Sequence, residues 1–381
     1  MELYQLEQDN RGLWNLNDIY FVELAERVMD LVKIGLGVSC NIETLNHDNW
    51  NDVASLAFMH GVGAIALDGI QRVIDEHVHV DIDVQTKLKW IGATHQQVIN
   101  YKKQESLIAS LAKFYQQHGI KMMVLKGWGL SLNYPVPSHR PCSDLDIYLF
   151  GEQERADRLV ETELGIKIDN GHHHHTVFVY NGLTVENHYD FLNVYSHRSN
   201  RIIEKKLKEI CCSGNQTVPI NGVEVYLPSA DFNALFLLRH MAVEFAATGI
   251  SFRQIIDWGA FVKNYHNAVK WDSFLSLVKE YNMHHFLDAV NYICYTHLGF
   301  DRNIFKGYGN EKSYGERVLA DIFNPDNAMP KEKGILKYWN QRWHNWWRNR
   351  WKHQIVFSDS LLSTFFHQVF AHLMKPATLH H

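Results

Sequence analysis

Hydrophobic residues recur at the spacing of an α-helix through most of residues 1–104. In the stretch 20–34, Phe21, Leu24 and Val28 fall on one face of such a helix, and the glycines that follow end the pattern. We expect this region to be a helical scaffold for the rest of the chain. The predicted helices are 20–34, 53–60, 64–76 and 83–117, the last either continuous or divided.

Between 105 and 228, short apolar runs alternate with polar stretches. Asn181-Gly182 and Asn221-Gly222 each separate two such runs, and Asn-Gly is a preferred two-residue turn of a β-hairpin. The pattern predicts an α/β (α+β) fold with a small mixed sheet. The predicted strands are 121–125, 144–150, 176–180 and 183–189, the predicted helices are 127–134 and 151–163, and the second hairpin lies at 219–228.

Helical spacing returns after Ser229, which is placed to cap a helix over 232–247. Further helices are predicted at 252–264, 272–280 and 286–298. We therefore divide the chain into four regions. These are a helical N-terminal region (1–104), the α/β core (105–228), a helical domain (229–300) and a helical C-terminal region rich in tryptophan and basic residues (301–381).

Composition narrows the class of protein. The chain has 381 residues, 46% hydrophobic and 21% charged, which is ordinary for a folded protein of two or three domains. A net charge of −5 gives no reason to expect nucleic-acid binding through overall charge, although it does not exclude a local basic patch. The five cysteines are odd in number and form no CxxC pair, which is typical of a reduced cytosolic protein. With no signal-peptide pattern at the N-terminus, we expect a cytoplasmic location.

Two carboxylates, Asp144 and Asp146, lie one residue apart at the start of an apolar run. Residues i and i+2 of a strand share a face, so both carboxylates should project together while Leu145 and Ile147 face the core. Like charges held so close repel unless a cation lies between them, and carboxylates completed by substrate phosphates are ligands that Mg²⁺ prefers. Upstream, Lys126-Gly127 supplies a cation and a backbone position that a phosphate can approach closely.

Several short motifs follow one another between 125 and 188: Leu125-Lys126-Gly127, Tyr134-Pro135, Arg140, Ser143-Asp144-Leu145-Asp146 and Val185-Glu186-Asn187-His188. This order resembles that of the DNA-polymerase-beta-like nucleotidyltransferases. It is most similar to their uncharacterised bacterial branch, in which Leu-Lys-Gly replaces the usual Gly-Ser. The resemblance extends from the N-terminal helices to about Phe300, and it implies a fold and a reaction class but no substrate.

The resemblance implies a metal-dependent reaction with a nucleoside triphosphate (NTP) as donor. Asp144 and Asp146 are expected to hold Mg²⁺ (or Mn²⁺) ions that bridge the triphosphate. Glu186 is expected to help bind the second ion and to deprotonate or orient the acceptor hydroxyl. On a strand, Glu186 and His188 share one face, with Val185 and Asn187 on the other.

The same resemblance points to a nucleotide-binding set around these carboxylates. Lys126 is expected to contact the triphosphate as a point charge, and Arg140 either braces the phosphates or forms a salt bridge to one of the two aspartates. Without the usual Gly-Ser, a phosphate-contacting hydroxyl is missing, and Ser131 is expected to replace it one helical turn on. The expected set is Lys126, Gly127, Ser131, Arg140, Ser143 and His188.

The sequence leaves the acceptor open among a small molecule, a glycan intermediate, an RNA end and a protein. The main alternative function is a catalytically silent module of the same fold that binds nucleotide or a partner protein. A third is a peripheral membrane protein recruited by the segment 331–353. This segment is rich in basic residues and tryptophan and predicts an amphipathic helix. The helix either packs on preceding helices, lies on an anionic membrane or contacts nucleic acid.

Other polar groups have more than one interpretation. The run His172 to His175 has either a structural or substrate-lining role or a metal-binding role. In a strand its side chains alternate faces, so they cannot all bind one ion without a bend. His240 and Glu244 share a helix face, which we interpret as a domain-interface feature, and Asp257 is expected to be a buried polar anchor.

Overall fold

The N-terminal part of the chain is helical, as its hydrophobic spacing predicts. The protein is described by a computed structural model over residues 16–38, 49–309, 312–324, 347 and 349–360. The helix α4 is continuous, and the Asp83 side chain caps its start by accepting a hydrogen bond from the Thr86 amide at 2.9 Å. The four helices are α1 (Leu16–Gly35), α2 (Trp50–Met59), α3 (Gly63–Asp75) and α4 (Val84–Gln117).

A six-stranded mixed sheet occupies the middle of the described chain. Its strands are β1 (Met123–Val124), β2 (Asp144–Tyr148), β3 (His175–Tyr180), β4 (Leu183–His188), β5 (Gln216–Ile220) and β6 (Val223–Leu227). Their spatial order is β3-β4-β2-β1-β6-β5. The pairs β2–β4 and β1–β6 are parallel, and the other neighbouring pairs are antiparallel. The predicted mixed α/β fold is confirmed.

Both Asn-Gly pairs form tight hairpin turns. Asn181 and Gly182 have φ angles of 49° and 85°, and Asn221 and Gly222 have φ angles of 49° and 81°. Positive φ at both central residues gives the turn the twist that flanking strands require, and Asn and Gly tolerate this conformation best. The predicted β3–β4 and β5–β6 hairpins are therefore confirmed.

Three helices connect the strands: α5 (Lys126–Ser131), α6 (Gln153–Leu164) and α7 (Arg198–Ile210). The sequence predicted α5 and α6 with slightly different ends, but it did not predict α7. The residues of α7 are mostly charged, and Ile203 and Leu207 are among the few apolar side chains that it buries. An apolar stripe this sparse gives little periodic signal in the sequence.

The C-terminal part is again helical where the structure describes it. Ser229 caps α8 by accepting a hydrogen bond from the Phe232 amide, as its position predicts. The helices predicted at 252–264, 272–280 and 286–298 are confirmed to within two residues at each end. The helices are α8 (Ala230–Ala247), α9 (Phe252–Tyr265), α10 (Trp271–Glu280), α11 (His284–Thr296), α12 (Lys312–Phe323) and α13 (Arg350–Val356).

The two faces of the sheet belong to different hydrophobic cores. Leu145 and Ile147 enter a core formed with the second half of α4 and with α6. Tyr148 enters the other core, which also contains side chains of α1–α3 and α8–α13. The alternation predicted for β2 is thus confirmed, and Asp146 lies on the α8 side. The division into four regions stays a prediction, although α4 passes through residue 104 without a break.

Most of the segment 331–353 lies outside the described residues, so its predicted amphipathic helix and its contacts stay predictions. Among the described residues of this segment, Lys352 is fully buried and its Nζ lies 2.6 Å from Asp321. Trp351 packs against Phe245 with ring centroids 5.5 Å apart. Within the described ranges, none of the helices has the length and apolar character needed to cross a bilayer.

Glu204 of α7 anchors the loop after β4. Its buried carboxyl group accepts hydrogen bonds from the Phe191 amide at 3.0 Å and the Leu192 amide at 2.9 Å. Burial raises the pKa of Glu204 to about 7 from an ordinary value of 4.5, against the effect of these amides. The folded state therefore binds the proton of the Glu204 carboxyl group more tightly than the unfolded state does. This protonation stabilises the fold fully below pH 4.5, and the stabilisation is lost as the pH rises to about 7.

We expect the free energy of unfolding of wild type to fall by about 3 kcal/mol over this pH range through Glu204 alone. The Glu204→Gln variant should lack this part of the pH dependence, because its amide does not titrate. Urea denaturation at pH 5 and pH 8 measures the difference. Glu209→Gln, at an exposed position of the same helix, is the control and should follow wild type. Identical pH dependence in all three proteins would refute the assignment.

Candidate active site

The parallel register of β2 and β4 places three predicted site residues together. Asp146 lies opposite Glu186, and His188 is two residues further along β4. The His188 Nε2 atom lies 3.0 Å from Asp146 Oδ1 and 3.6 Å from Glu186 Oε2. Val185, which points the other way, is fully buried in the core below the sheet. The shared face predicted for Glu186 and His188 is therefore observed.

Asp146 lies between the side chains of Lys126 and His188. Its Oδ1 atom is 2.9 Å from Lys126 Nζ as well as 3.0 Å from His188 Nε2. Burial raises the pKa of Asp146, but Lys126 and His188 outweigh this effect and hold it well below the usual range. Burial lowers the pKa of Lys126 and of His188, but Asp146 together with Glu186 outweighs this effect, so both pKa values are raised. The three groups form a buried cluster joined by hydrogen bonds.

The backbone at Lys126 and Gly127 has an unusual conformation. Their φ angles are 34° and 29°, and Gly127 has a ψ angle of −110°. A lysine at positive φ is uncommon and costs about 1–3 kcal/mol, which the surrounding structure must compensate. The Leu125 amide fixes the start of this turn by donating to the Asp146 carbonyl at 2.9 Å. The turn directs Lys126 towards Asp146 and towards His240 Nε2, which is 3.0 Å from its Nζ atom.

Asp144 lies at the edge of the same face and is half-buried. The Ser143 hydroxyl donates to its Oδ1 atom at 3.0 Å. Its main-chain carbonyl accepts a hydrogen bond from Gln104 Nε2 at 2.9 Å, which ties this end of β2 to α4. Asp144 and Asp146 therefore project to one side, as the strand pattern predicts.

Arg140 forms a buried salt bridge, but with Asp257 of α9 and not with either strand aspartate. Its Nη2 lies 2.8 Å from Asp257 Oδ2 and its Nε lies 3.1 Å from Oδ1. The Tyr134 hydroxyl donates to the same Oδ1 atom at 2.6 Å. Burial raises the pKa of Asp257, and Arg140 outweighs it and lowers the value. Asp257 is the buried polar anchor that the sequence predicts. The salt bridge that Arg140 was expected to form with Asp144 or Asp146 is formed with Asp257 instead.

A cavity of about 210 Å³ opens in front of these groups. Several predicted residues line it, whereas Glu186 and His188 are not part of its lining. Ser131 is fully buried outside the lining, and its hydroxyl donates to the Trp128 carbonyl at 2.6 Å and lies 2.8 Å from the Tyr101 hydroxyl. It is therefore not placed to contact a phosphate in the cavity. The predicted residues in the lining are Lys126, Gly127, Arg140, Ser143, Asp144 and Asp146.

Side chains from α8 and α9 complete the cavity. His240 and Glu244, interpreted from the sequence as a domain-interface feature, line it together with Arg253. His240 Nδ1 lies 3.5 Å from Glu244 Oε1. Burial and the nearby Lys126 lower the pKa of His240 well below its ordinary value, so it is neutral. The shared helix face of His240 and Glu244 was visible in the sequence, but nothing there indicated that His240 lies 3.0 Å from the Lys126 ammonium group.

The donor set fits a hard divalent cation. Asp146, Glu186 and His188 bring one ligand atom each to within 4.8 Å of one another, and Asp144 adds a carboxylate on the same side of β2. Oxygen donors of this kind suit Mg²⁺ and Mn²⁺. A second group with the same spacing consists of His174, His175 and His188. Among the described residues, neither group includes Asp144.

Comparison with known families defines the class of this chain. The family described as "uncharacterised nucleotidyltransferase" matches residues 46–299, about two thirds of the sequence. The chain therefore belongs to this nucleotidyltransferase family, so the family resemblance of the sequence motifs is confirmed, whereas the reaction itself stays a prediction. The bacterial branch and the polymerase-beta-like superfamily stay predictions.

One solved structure is similar to part of the chain. It is an antigenic nucleotidyltransferase-like protein from Paracoccidioides brasiliensis, with 13% sequence identity. The match covers 52% of this chain and 92% of that one, with a TM-score of 0.32. A likeness this weak adds nothing to the family assignment. Comparison with curated proteins gives no match.

Proposed function

We propose that this protein is a metal-dependent nucleotidyltransferase that transfers a nucleotidyl group from an NTP to an acceptor hydroxyl. The observation that carries this proposal is the parallel register of β2 and β4. It sets the carboxylates of Asp146 and Glu186 side by side. Asp144 and Asp146 line the cavity together with Lys126 and Arg253. A negatively charged triphosphate fits the basic side chains, and the carboxylates fit its metal ions.

Mg²⁺ or Mn²⁺ would be held by Asp144, Asp146 and Glu186, and would neutralise charge on the triphosphate. Lys126, now paired with Asp146, would turn its ammonium group to the phosphates once a cation replaces it. Glu186 would accept the proton of the acceptor hydroxyl, whose oxygen bonds to the α-phosphorus as the bond to pyrophosphate breaks. Arg140 keeps its guanidinium at the cavity wall through its two hydrogen bonds to Asp257.

The acceptor stays open among a small molecule, a glycan intermediate, an RNA end and a protein. Membrane contact through 331–353 and a cytoplasmic location also stay predictions.

A second candidate function is a catalytically silent module that binds nucleotide or a partner protein. The observation that favours it is the cluster of Lys126, Asp146 and His188, in which nitrogen atoms of both neighbours already lie within 3.0 Å of the Asp146 carboxylate. A metal ion must compete with these contacts. A silent module would bind nucleotide, if at all, with little dependence on the strand carboxylates.

Calorimetric titration of the four NTPs, with Mg²⁺ and with Mn²⁺, tests the proposal. We expect wild type to bind at least one NTP only when the metal is present. Asp146→Asn should weaken this binding at least about tenfold, because a metal ligand is lost. Asp272→Asn, at an exposed position of α10, is the control and should bind as wild type does. Metal-independent binding that survives Asp146→Asn would favour the silent module.

A further inference from the structure

The histidine run before β3 is bent, and the bend brings two of its rings to His188. Only His175 belongs to the strand, whereas residues 172–174 form a bend. The alternation of faces expected for a continuous strand is therefore absent at His174. The His174 and His175 ring centroids are 4.4 Å apart, and they lie 5.5 Å and 5.1 Å from that of His188.

Backbone contacts hold these three histidines in place. His175 and His188 are direct partners across the β3–β4 pair. The His174 carbonyl accepts hydrogen bonds from the Tyr189 amide at 3.1 Å and the Asp190 amide at 3.0 Å. His188 Nδ1 lies 3.1 Å from the Asp190 carbonyl, which is the contact that orients a metal-binding histidine and leaves Nε2 as the ligand atom.

Two of the ring nitrogens are buried without a hydrogen bond. These are the Nδ1 atoms of His174 and His175, and His175 is 93% buried. The His175 Nδ1 atom lies 3.9 Å from Glu186 Oε2, and His188 Nε2 lies 3.6 Å from the same oxygen. Ring nitrogens that have no hydrogen-bond partner are available as metal ligands.

We propose that His174, His175, His188 and Glu186 form a four-ligand site for a borderline-soft divalent transition metal such as Zn²⁺. Three imidazoles and one carboxylate are a donor set that suits Zn²⁺ and is unsuited to Mg²⁺. Ligand atoms of a tetrahedral Zn²⁺ site are roughly 3.3 Å apart. Glu186 Oε2 lies 3.6 and 3.9 Å from two of the ring nitrogens, and the ligand atoms of the three histidines lie within 4.8 Å of one another. Binding would therefore draw the imidazole nitrogens together by up to about 1.5 Å.

This site shares two residues with the proposed magnesium site, so the two cannot be filled independently. A Zn²⁺ ion bound by Glu186 and His188 withdraws both from Asp146, which keeps its contact with Lys126. We therefore expect micromolar Zn²⁺ to inhibit nucleotidyl transfer in excess Mg²⁺. This consequence rests on the proposed function, whereas metal binding itself does not.

The site is tested with metal-free full-length protein titrated with Co²⁺, in the absence of nucleotide. A tetrahedral site gives intense visible absorption bands that saturate at one equivalent and disappear when Zn²⁺ displaces Co²⁺. The His174→Gln/His175→Gln variant should lose these bands and bind at least about 100-fold more weakly. His284→Gln/His285→Gln, another adjacent pair with rings 4.0 Å apart, is the matched control and should bind as wild type does.

Two further measurements keep the test decisive if the double variant does not fold. X-ray absorption of the Zn²⁺-loaded wild type should show three imidazoles and one oxygen ligand. Fewer than three imidazoles, or bands that survive in a folded double variant, would overturn the site. Asp144→Asn should keep Co²⁺ binding even where it abolishes nucleotidyl transfer, which separates failure of this site from failure of the proposed function.

Discussion

Glu186→Gln is expected to lower the rate of nucleotidyl transfer by at least about 1,000-fold, because it removes both a metal ligand and the proposed proton acceptor. The amide is nearly isosteric, and Glu186 is only half-buried, so the fold should persist. The assay uses an NTP labelled at the α-phosphate with a heat-treated cell extract as the source of acceptors. A product that carries the α-label but no γ-label reports transfer.

The matched control for this variant is Glu224→Gln, which changes an exposed glutamate on strand β6 of the same sheet. It should transfer at the wild-type rate. Thermal unfolding of both variants within a few degrees of wild type would show that the fold is intact. If Glu186→Gln retained more than about a tenth of the wild-type rate, the proposed role of this carboxylate would be wrong.

Asp257→Asn is expected to lower the free energy of unfolding by about 3–5 kcal/mol, because it leaves the buried guanidinium of Arg140 without its counter-charge. Both side chains of this pair are more than 90% buried. Tyr134 also loses a charged acceptor for its hydroxyl. Urea denaturation at pH 7 measures the change, and Asp272→Asn at the surface of α10 should stay within about 0.5 kcal/mol of wild type.

A double-mutant cycle with Arg140→Met separates the ion pair from other effects of the substitution. The double variant should be less destabilised than the sum of the two single variants, because it leaves no unpaired buried charge. Additive effects would mean that the pair contributes nothing beyond the packing of its two side chains.

The fold was predictable wherever local chemistry decides the conformation. The two Asn-Gly turns, the Ser229 cap and the alternation in β2 each depend on a few neighbouring residues. Helix α7 was not predictable in the same way, because its charged sequence forms a helix by packing Ile203 and Leu207 on the core. That packing is tertiary and leaves only a weak pattern in the sequence.

The site was predictable in its strand residues and not in its surroundings. The sequence motifs and the alternation of side chains along a strand predicted Asp146 and Glu186 as site residues. The parallel register of β2 and β4 brings the two side by side. The approach of His240 to Lys126 joins positions 114 residues apart, and no local pattern encodes it. The predicted phosphate contact of Ser131 has no support from its surroundings, because its hydroxyl lies 2.8 Å from the Tyr101 hydroxyl and outside the cavity lining.

Helix α4 spans about 51 Å, and its contacts join distant parts of the molecule. Near its start, Trp90 donates to the Gly63 carbonyl of α3, and further along Gln104 holds the main chain of Asp144. Any force that shifts α3 relative to the sheet must therefore bend this helix or move Asp144. The N-terminal helices are therefore coupled to the candidate active site, because their position affects the position of strand β2, which carries Asp144 and Asp146.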